Sequence, residues 1–390
     1  MKNKISKELL KNFRTNISFK SLNLHEPDLI KKDIINLKKC LITNNVSAAG
    51  EFVEKFEREI SKLTGAKYVI TTNSGTSALQ LSCILSGVCK NDEVLIPSFT
   101  FIATVNAVKY CDAIPHFIDI EEEHFCVNTN KLKKYLSSIA KVKKNICINK
   151  ITGRKIKAII PVHIFGHPFN TVELLKIAKE FNLTIIEDAA EAIGSYVKGQ
   201  HVGCFGKIGV LSFNGNKIVT CGAGGAILTN NKSIAQEARH IVATAKLTNF
   251  RNFVYDRIGY NYRMPNVNAA LGYSQIIKIK KILANKRKLF FFYKKVFKKC
   301  SSIKLVDEPK KCKSNFWLQT ILLNQKLSNL SKEVVRNLNN SKIYVRPGWE
   351  LMVNLKHFAN CPRMKIIAAK KVYKRIINIP SSSFLIDKTK

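Results

Sequence analysis

Lys217 closes the run Ser212-Phe213-Asn214-Gly215-Asn216-Lys217, just after an apolar stretch and just before Gly222-Ala223-Gly224-Gly225. Small and polar neighbours let an amine sit partly out of water, close to a ligand, which suits it to attack a carbonyl and to carry protons. In so lysine-rich a chain an isolated lysine belongs on the surface, so it is the neighbours that single out Lys217. A second group, Glu187-Asp188-Ala189-Ala190-Glu191, follows another apolar run. A carboxylate at the end of a buried strand faces the crevice where open α/β sheets bind ligands. Asp188 could keep a pyridine nitrogen protonated and so make the ring an electron sink; alternatively it is an acid facing a helix N-terminus. A third, Asn73-Ser74-Gly75-Thr76-Ser77-Ala78-Leu79, offers backbone N–H groups, hydroxyls and a glycine where a helix begins. That is an anion cradle, or simply an N-capped helix after a turn.

Two further segments are weaker on their own. Gly259-Tyr260-Asn261-Tyr262-Arg263-Met264-Pro265-Asn266 leads into a helical pattern. His163 and His167 have the spacing of a metal pair, but a glycine between them and a strand before them argue against a helical face. Either a substrate contact or a structural role fits them. Gly222–Gly225 resembles half a dinucleotide fingerprint, but it precedes a strand and reads as a turn.

These groups need a scaffold, and the pattern supplies one. Tyr68–Thr72, Glu93–Ile96, Pro115–Ile120, Ala158–Val162 and Thr184–Glu187 read as buried strands separated by helical stretches such as Ser77–Leu85, Ile102–Tyr110 and Val172–Phe181. Near-continuous apolar strands alternating with helices predict a mostly parallel α/β sheet covered on both faces. Ile208–Phe213 and Ala226–Thr229 read as a closing pair, and Asn268–Phe292 as one long helix. The expected division is a large α/β domain over 24–275 and a small C-terminal α+β domain over 276–390 that includes the connecting helix.

Taken in order, Gly75–Leu79 (GTSAL), Pro97–Phe101 (PSFTF), Glu187–Glu191 (EDAAE), Ser212–Lys217 (SFNGNK), Gly222–Gly225 (GAGG) and Gly259–Asn266 (GYNYRMPN) resemble the DegT/DnrJ/StrS family of fold-type I, pyridoxal-phosphate (PLP)-dependent sugar-nucleotide aminotransferases. The likeness runs from about Leu24 to Ser383 and takes in Leu24-His25-Glu26-Pro27 and Arg346-Pro347-Gly348-Trp349-Glu350-Leu351-Met352. Asn214-Gly215, where sister enzymes carry a His-Pro-like pair, points to the LegC-type branch, which aminates UDP-linked 4-keto-6-deoxy-N-acetylhexosamines.

The resemblance implies the aspartate-aminotransferase-like fold and a role for each motif. Lys217 would bind PLP covalently and then move the proton, and Asp188 would pair with the ring nitrogen. Phe101 would stack on the ring, while Gly75, Thr76 and Ser212 would hold the phosphate. Glu191 stands where relatives place Gln or His beside the phenolic oxygen. Asn261 would reach the phosphate in the neighbouring subunit, which implies a homodimer with shared sites. His163, Arg346 and Trp349 are candidate substrate contacts. Glutamate is the implied amino donor, and a 4-amino-4,6-dideoxy sugar nucleotide for surface glycan the implied product. A 3-keto or GDP-linked acceptor is the alternative; a dehydratase of this fold would replace the lysine with histidine.

Composition agrees with a cytosolic enzyme. The 390 residues are 46% hydrophobic, with no apolar run long enough to span a bilayer and no secretory segment at the start. The eleven cysteines are scattered from Cys40 to Cys361 with no CxxC pair, as expected of reduced thiols with no metal site. The net charge of +38 could neutralise nucleic-acid phosphates. The lysines are spread along the whole chain with no RNA- or DNA-binding motif beside them, so compositional bias is the simpler account.

Overall fold

The computed structural model describes residues 2–247 and 253–389. Each apolar run becomes a strand of one seven-stranded sheet: β1 (Tyr68–Thr72), β2 (Glu93–Pro97), β3 (Ile114–Ile118), β4 (Ile156–Ile159), β5 (Thr184–Asp188), β6 (Ile208–Ser212) and β7 (Gly225–Thr229). Their order is β1-β7-β6-β5-β4-β2-β3. From β6 across to β3 every pair is parallel, and β7 runs antiparallel to both β1 and β6. All five residues of β2, β6 and β7 are buried, which is why these strands read as continuous apolar runs without alternation.

Five helices carry the site or the packing around it: α1 (Lys2–Asn16), α2 (Gly75–Leu85), α3 (Ile102–Lys109), α4 (Asn266–Ile277) and α5 (Ile279–Val296). The single helix expected over Asn268–Phe292 is therefore two. The break falls at Lys278, whose backbone (φ −93°, ψ 5°) leaves helical geometry. Its ammonium donates to the Asp28 carbonyl and lies 3.6 Å from Asp33 Oδ2, tying the break to the N-terminal segment.

A second sheet follows α5. Its strands are β8 (Ile303–Leu305), β9 (Gln319–Leu323), β10 (Arg346–Pro347) and β11 (Ile376–Ile379), all antiparallel in the order β8-β9-β11-β10. Its core has an N-terminal contributor that the expected division, starting at residue 24, left out. Ile5, Leu9 and Phe13 form an i, i+4, i+8 stripe on α1, and they pack with Tyr293, Phe297 and Ile321. The Phe13 ring meets Tyr293 and Phe297 edge-on, with centroids 6.0 and 5.8 Å away. No helix among the described residues is long and apolar enough to cross a membrane.

Candidate active site

Ser74 ends the turn after β1 and caps α2, its Oγ accepting the Ser77 amide at 3.0 Å. The amides of Gly75 and Thr76 belong to the first helical turn, where no intrahelical carbonyl is available to them. Gly75 is required here by space. A Cβ on it would come 2.9 Å from the Ser212 Cβ, so only glycine lets the helix start against the end of β6. Gly75, Thr76 and Ser212 thus share one wall of a cavity of about 310 Å³ at the C-terminal edge of the parallel strands.

Asp188, at the end of β5, is 4% exposed. Its Oδ2 accepts from Thr104 Oγ1 at 2.8 Å and its Oδ1 from the Ala190 amide at 3.1 Å. Thr104 lies in the first half of α3 and is itself 2.9 Å from Thr100 Oγ1. Burial pushes the Asp188 carboxyl above its usual range; the two hydrogen bonds and nearby Lys217 oppose this without cancelling it. Glu187, one residue earlier, turns to the other face as strand alternation requires. It accepts from the Gly203 amide at 2.9 Å and from the amides of Phe205 and Gly206.

Lys217 Nζ is 3.3 Å from Glu191 Oε1, with side-chain exposures of 12% and 5%. The other Glu191 oxygen accepts the Phe165 amide at 2.9 Å. The pair has the geometry of a salt bridge, yet burial raises the Glu191 carboxyl by more than Lys217 lowers it. The burial effect decides, because water that could solvate the carboxylate is excluded. Lys217 also stands 3.8 Å from the centroid of the Trp317 ring. Phe101, 53% exposed, and Trp349 lie at the mouth with ring centroids 6.1 Å apart, and Arg346 joins the same wall.

Most of the candidate residues therefore converge, while His163, the equally buried His167 and Asn261 lie outside the cavity lining. His163 is fully buried and does not line the cavity. Its Nε2 is 3.2 Å from Glu187 Oε2 and its ring stacks on Phe169 at 4.2 Å, so the structure gives it a bracing place beside the sheet, outside the cavity lining. Asn261 is exposed and outside this cavity; its carbonyl accepts from Asn73 Nδ2 at 3.5 Å. The sequence reading missed Trp317 and Thr104. Trp317 had one available signal, since the chain holds only two tryptophans. Thr104 had none beyond its nearness to Pro97–Phe101.

A family model for the DegT/DnrJ/EryC1/StrS aminotransferase family matches residues 27–389. The chain belongs to that family. It is 34% identical to the GDP-perosamine synthase of Escherichia coli O157:H7, over 84% of each chain. It is 30% identical to EpsN of Bacillus subtilis (strain 168), whose name describes a pyridoxal phosphate-dependent aminotransferase, over 85% of this chain and 82% of that one. Among solved structures, Helicobacter pylori PseC, an aminotransferase of pseudoaminic acid biosynthesis, superposes with a TM-score of 0.83 at 24% identity, covering 93% of this chain and 94% of that one. A DegT DnrJ EryC1 StrS aminotransferase from Brucella abortus gives 0.82 at 23% identity, covering 91% and 94%. These two likenesses establish the aminotransferase fold. The family is PLP-dependent, and this chain is a PLP-dependent aminotransferase.

The residues present fit that cofactor. The cradle at Gly75 and Thr76, which any Cβ at position 75 would fill, suits a phosphate. Asp188 is a buried acid held by only two hydrogen bonds, and Lys217 is an amine inside the same walls.

Proposed function

We propose that the protein transfers an amino group to a nucleotide-linked keto sugar, giving an amino sugar nucleotide for surface glycan synthesis. It acts in the cytoplasm as a homodimer with shared active sites. The observation that carries this reading is the convergence of Lys217, Asp188 and the Gly75–Thr76 cradle on one cavity. When bound, PLP supplies carbanion stabilisation at the carbon that loses or gains the amino group. Asp188 keeps the ring nitrogen protonated, and Thr104 and the Ala190 amide fix that carboxyl's orientation. Lys217 holds the cofactor and then takes and returns the proton at the reacting carbon, within reach of no acid but Glu191 among the described salt bridges. Gly75, Thr76 and Ser212 hold the phosphate, and Phe101 covers the ring. Asn261, exposed and outside its own subunit's cavity, serves the partner subunit's phosphate.

Arg346 and Trp349 contact the acceptor, since a guanidinium at the mouth suits the diphosphate of a sugar nucleotide. Three relatives at 30–34% identity are GDP-perosamine synthases, which favours a GDP-linked keto sugar. A UDP-linked 4-keto-6-deoxy-N-acetylhexosamine is the second reading, carried by Leu24–Pro27 and Asn214-Gly215. Glutamate is the donor by family likeness. The division into a large domain over 24–275 and a small one over 276–390 is kept, with α1 assigned to the small one.

The test is the visible spectrum of the purified protein before and after borohydride, with peptide mapping, followed by product analysis with GDP- and UDP-linked keto sugars. A yellow band that glutamate shifts, and a label on Lys217, are expected. A colourless protein that takes up no PLP, but binds nucleic acid in a salt-dependent way, would sink the reading.

A further inference from the structure

The free amine of Lys217 has two close neighbours from different parts of the chain. One is Glu191 Oε1 at 3.3 Å; the other is the ring of Trp317, whose centroid is 3.8 Å away. Trp317 comes from the segment just before β9, and three bonds fix it. Its Nε1 donates to the Asn216 carbonyl at 2.7 Å, and its amide donates to Asn315 Oδ1 at 2.8 Å. Its own carbonyl accepts from Lys286 Nζ at 2.6 Å. Lys286, on α5, is fully buried and pairs with no carboxylate among the described salt bridges; its second acceptor is the Ser381 carbonyl. Asn315 also donates to the Glu191 carbonyl at 2.9 Å, so one side chain joins both neighbours of Lys217.

We propose that the face of Trp317 is a positioning element for Lys217: it holds the ammonium of the free lysine and so sets the balance between lysine free and lysine bonded to the cofactor. This rests on Lys217 being the cofactor-bearing residue. A tryptophan face attracts an ammonium through the ring quadrupole, most strongly where water is excluded, as at a side chain 12% exposed. Bond formation would join Nζ to the carbonyl carbon of PLP, the carbonyl oxygen leaving as water with two of the ammonium's hydrogens, while the third stays on the imine nitrogen and its charge spreads into the cofactor. The Trp317 face then loses its compact ammonium. The contact therefore favours the state with Lys217 released, in which the lysine is available to move a proton. Removing the ring should strengthen the hold on PLP, whereas removing an ordinary wall residue weakens it.

The experiment compares Trp317→Leu with Trp317→Phe in the full-length, PLP-free protein. PLP is titrated at one fixed neutral pH, occupancy is read from the visible band, and borohydride fixation with peptide mapping locates the label. Phe keeps a ring and drops the bond to Asn216, so that bond is absent from both variants. Trp317→Leu should reach half occupancy at roughly two- to thirty-fold less PLP than Trp317→Phe, the span of a cation–π contact. Equal or weaker binding by Trp317→Leu overturns the proposal. Should the leucine variant not fold, Trp317→Met, of similar reach and without a π face, supplies the same comparison. A wild-type label anywhere but Lys217 refutes the site assignment; a label on Lys217 with the wrong order of affinities refutes only the role of Trp317.

Discussion

The amide of Phe165 donates to Glu191 Oε2 across 2.9 Å, and this bond ties a left-handed turn to the cavity wall. Phe165 has φ +54°, a conformation that costs a bulky residue on the order of 1–3 kcal/mol, so its surroundings must hold it there. The Phe165 ring packs against Trp349 at 5.0 Å. One carboxyl group thus braces the turn with one oxygen and neighbours Lys217 with the other.

Replacing Glu191 by alanine leaves that buried N–H without its acceptor, and the cofactor-free protein should lose about 1–3 kcal/mol of stability. Glu191→Gln keeps an oxygen in place and should lose much less. Urea unfolding of the two variants gives the comparison; equal losses would mean the bond does not hold the turn.

The same carboxyl has a pH signature. Burial holds Glu191 above its ordinary 4.5, so the native state binds this proton more tightly than the unfolded chain. Its contribution to stability is full below about 4.5 and is lost as pH rises through the folded value. Relative to Glu191→Gln, wild-type cofactor-free protein should therefore weaken as pH climbs from 4.5 toward neutrality. A difference between the two that stays flat across that range would contradict the raised pKa.

Lys217→Ala should lower turnover by about 10²–10⁴-fold, the usual reach of positioned acid–base catalysis, or more if the covalent hold is also needed. Its unfolding curve should stay close to wild type. Substantial activity in this variant would remove Lys217 from the mechanism.

Asn261→Ala tests the shared site. Loss of one hydrogen bond to a charged phosphate should weaken PLP binding on the order of ten- to a hundredfold. Light scattering should show a dimer for both wild type and variant. A monomer, or unchanged PLP affinity, would count against a residue donated across subunits.

Phe13→Ala addresses the second core. Phe13 is 1% exposed between Tyr293 and Phe297, and its removal should cost about 3–5 kcal/mol. The change is expected in the unfolding midpoint, with PLP binding in the still-folded protein little altered. A loss below 1 kcal/mol would mean that α1 is only loosely attached.

What could be read in advance came from local pattern. Tyr68–Thr72 and Glu93–Pro97 are apolar and bounded by turns, so their strands, and with them the parallel sheet, were legible. Lys217 and Asp188 stood out because short motifs flank them at strand ends. Trp317 could be noticed as a rare residue but not placed, because its partner lies 100 residues away and the contact exists only when two sheets come together. His163 is the opposite case. Its position after a strand left a substrate contact and a structural role equally open, and only the folded chain shows the ring stacked on Phe169 with its Nε2 beside Glu187. The break at Lys278 escaped notice for a similar reason, since no proline or glycine marks it and the side-chain tie to Asp28 and Asp33 that accompanies it joins segments far apart in sequence.

The packing of α1 into the second core sets an order of events during synthesis. Ile5, Leu9 and Phe13 emerge from the ribosome ahead of both sheets, yet the residues that cover them include Ile321, Val334 and Leu338. At roughly 5–20 residues per second, that apolar stripe waits on the order of tens of seconds for its mate. During that interval the large sheet is free to form around β1–β7, all of which precede residue 230. A helix made before either sheet is thus among the last elements to dock, and any chain released short of Leu338 leaves part of that greasy stripe uncovered for chaperones and proteases to recognise.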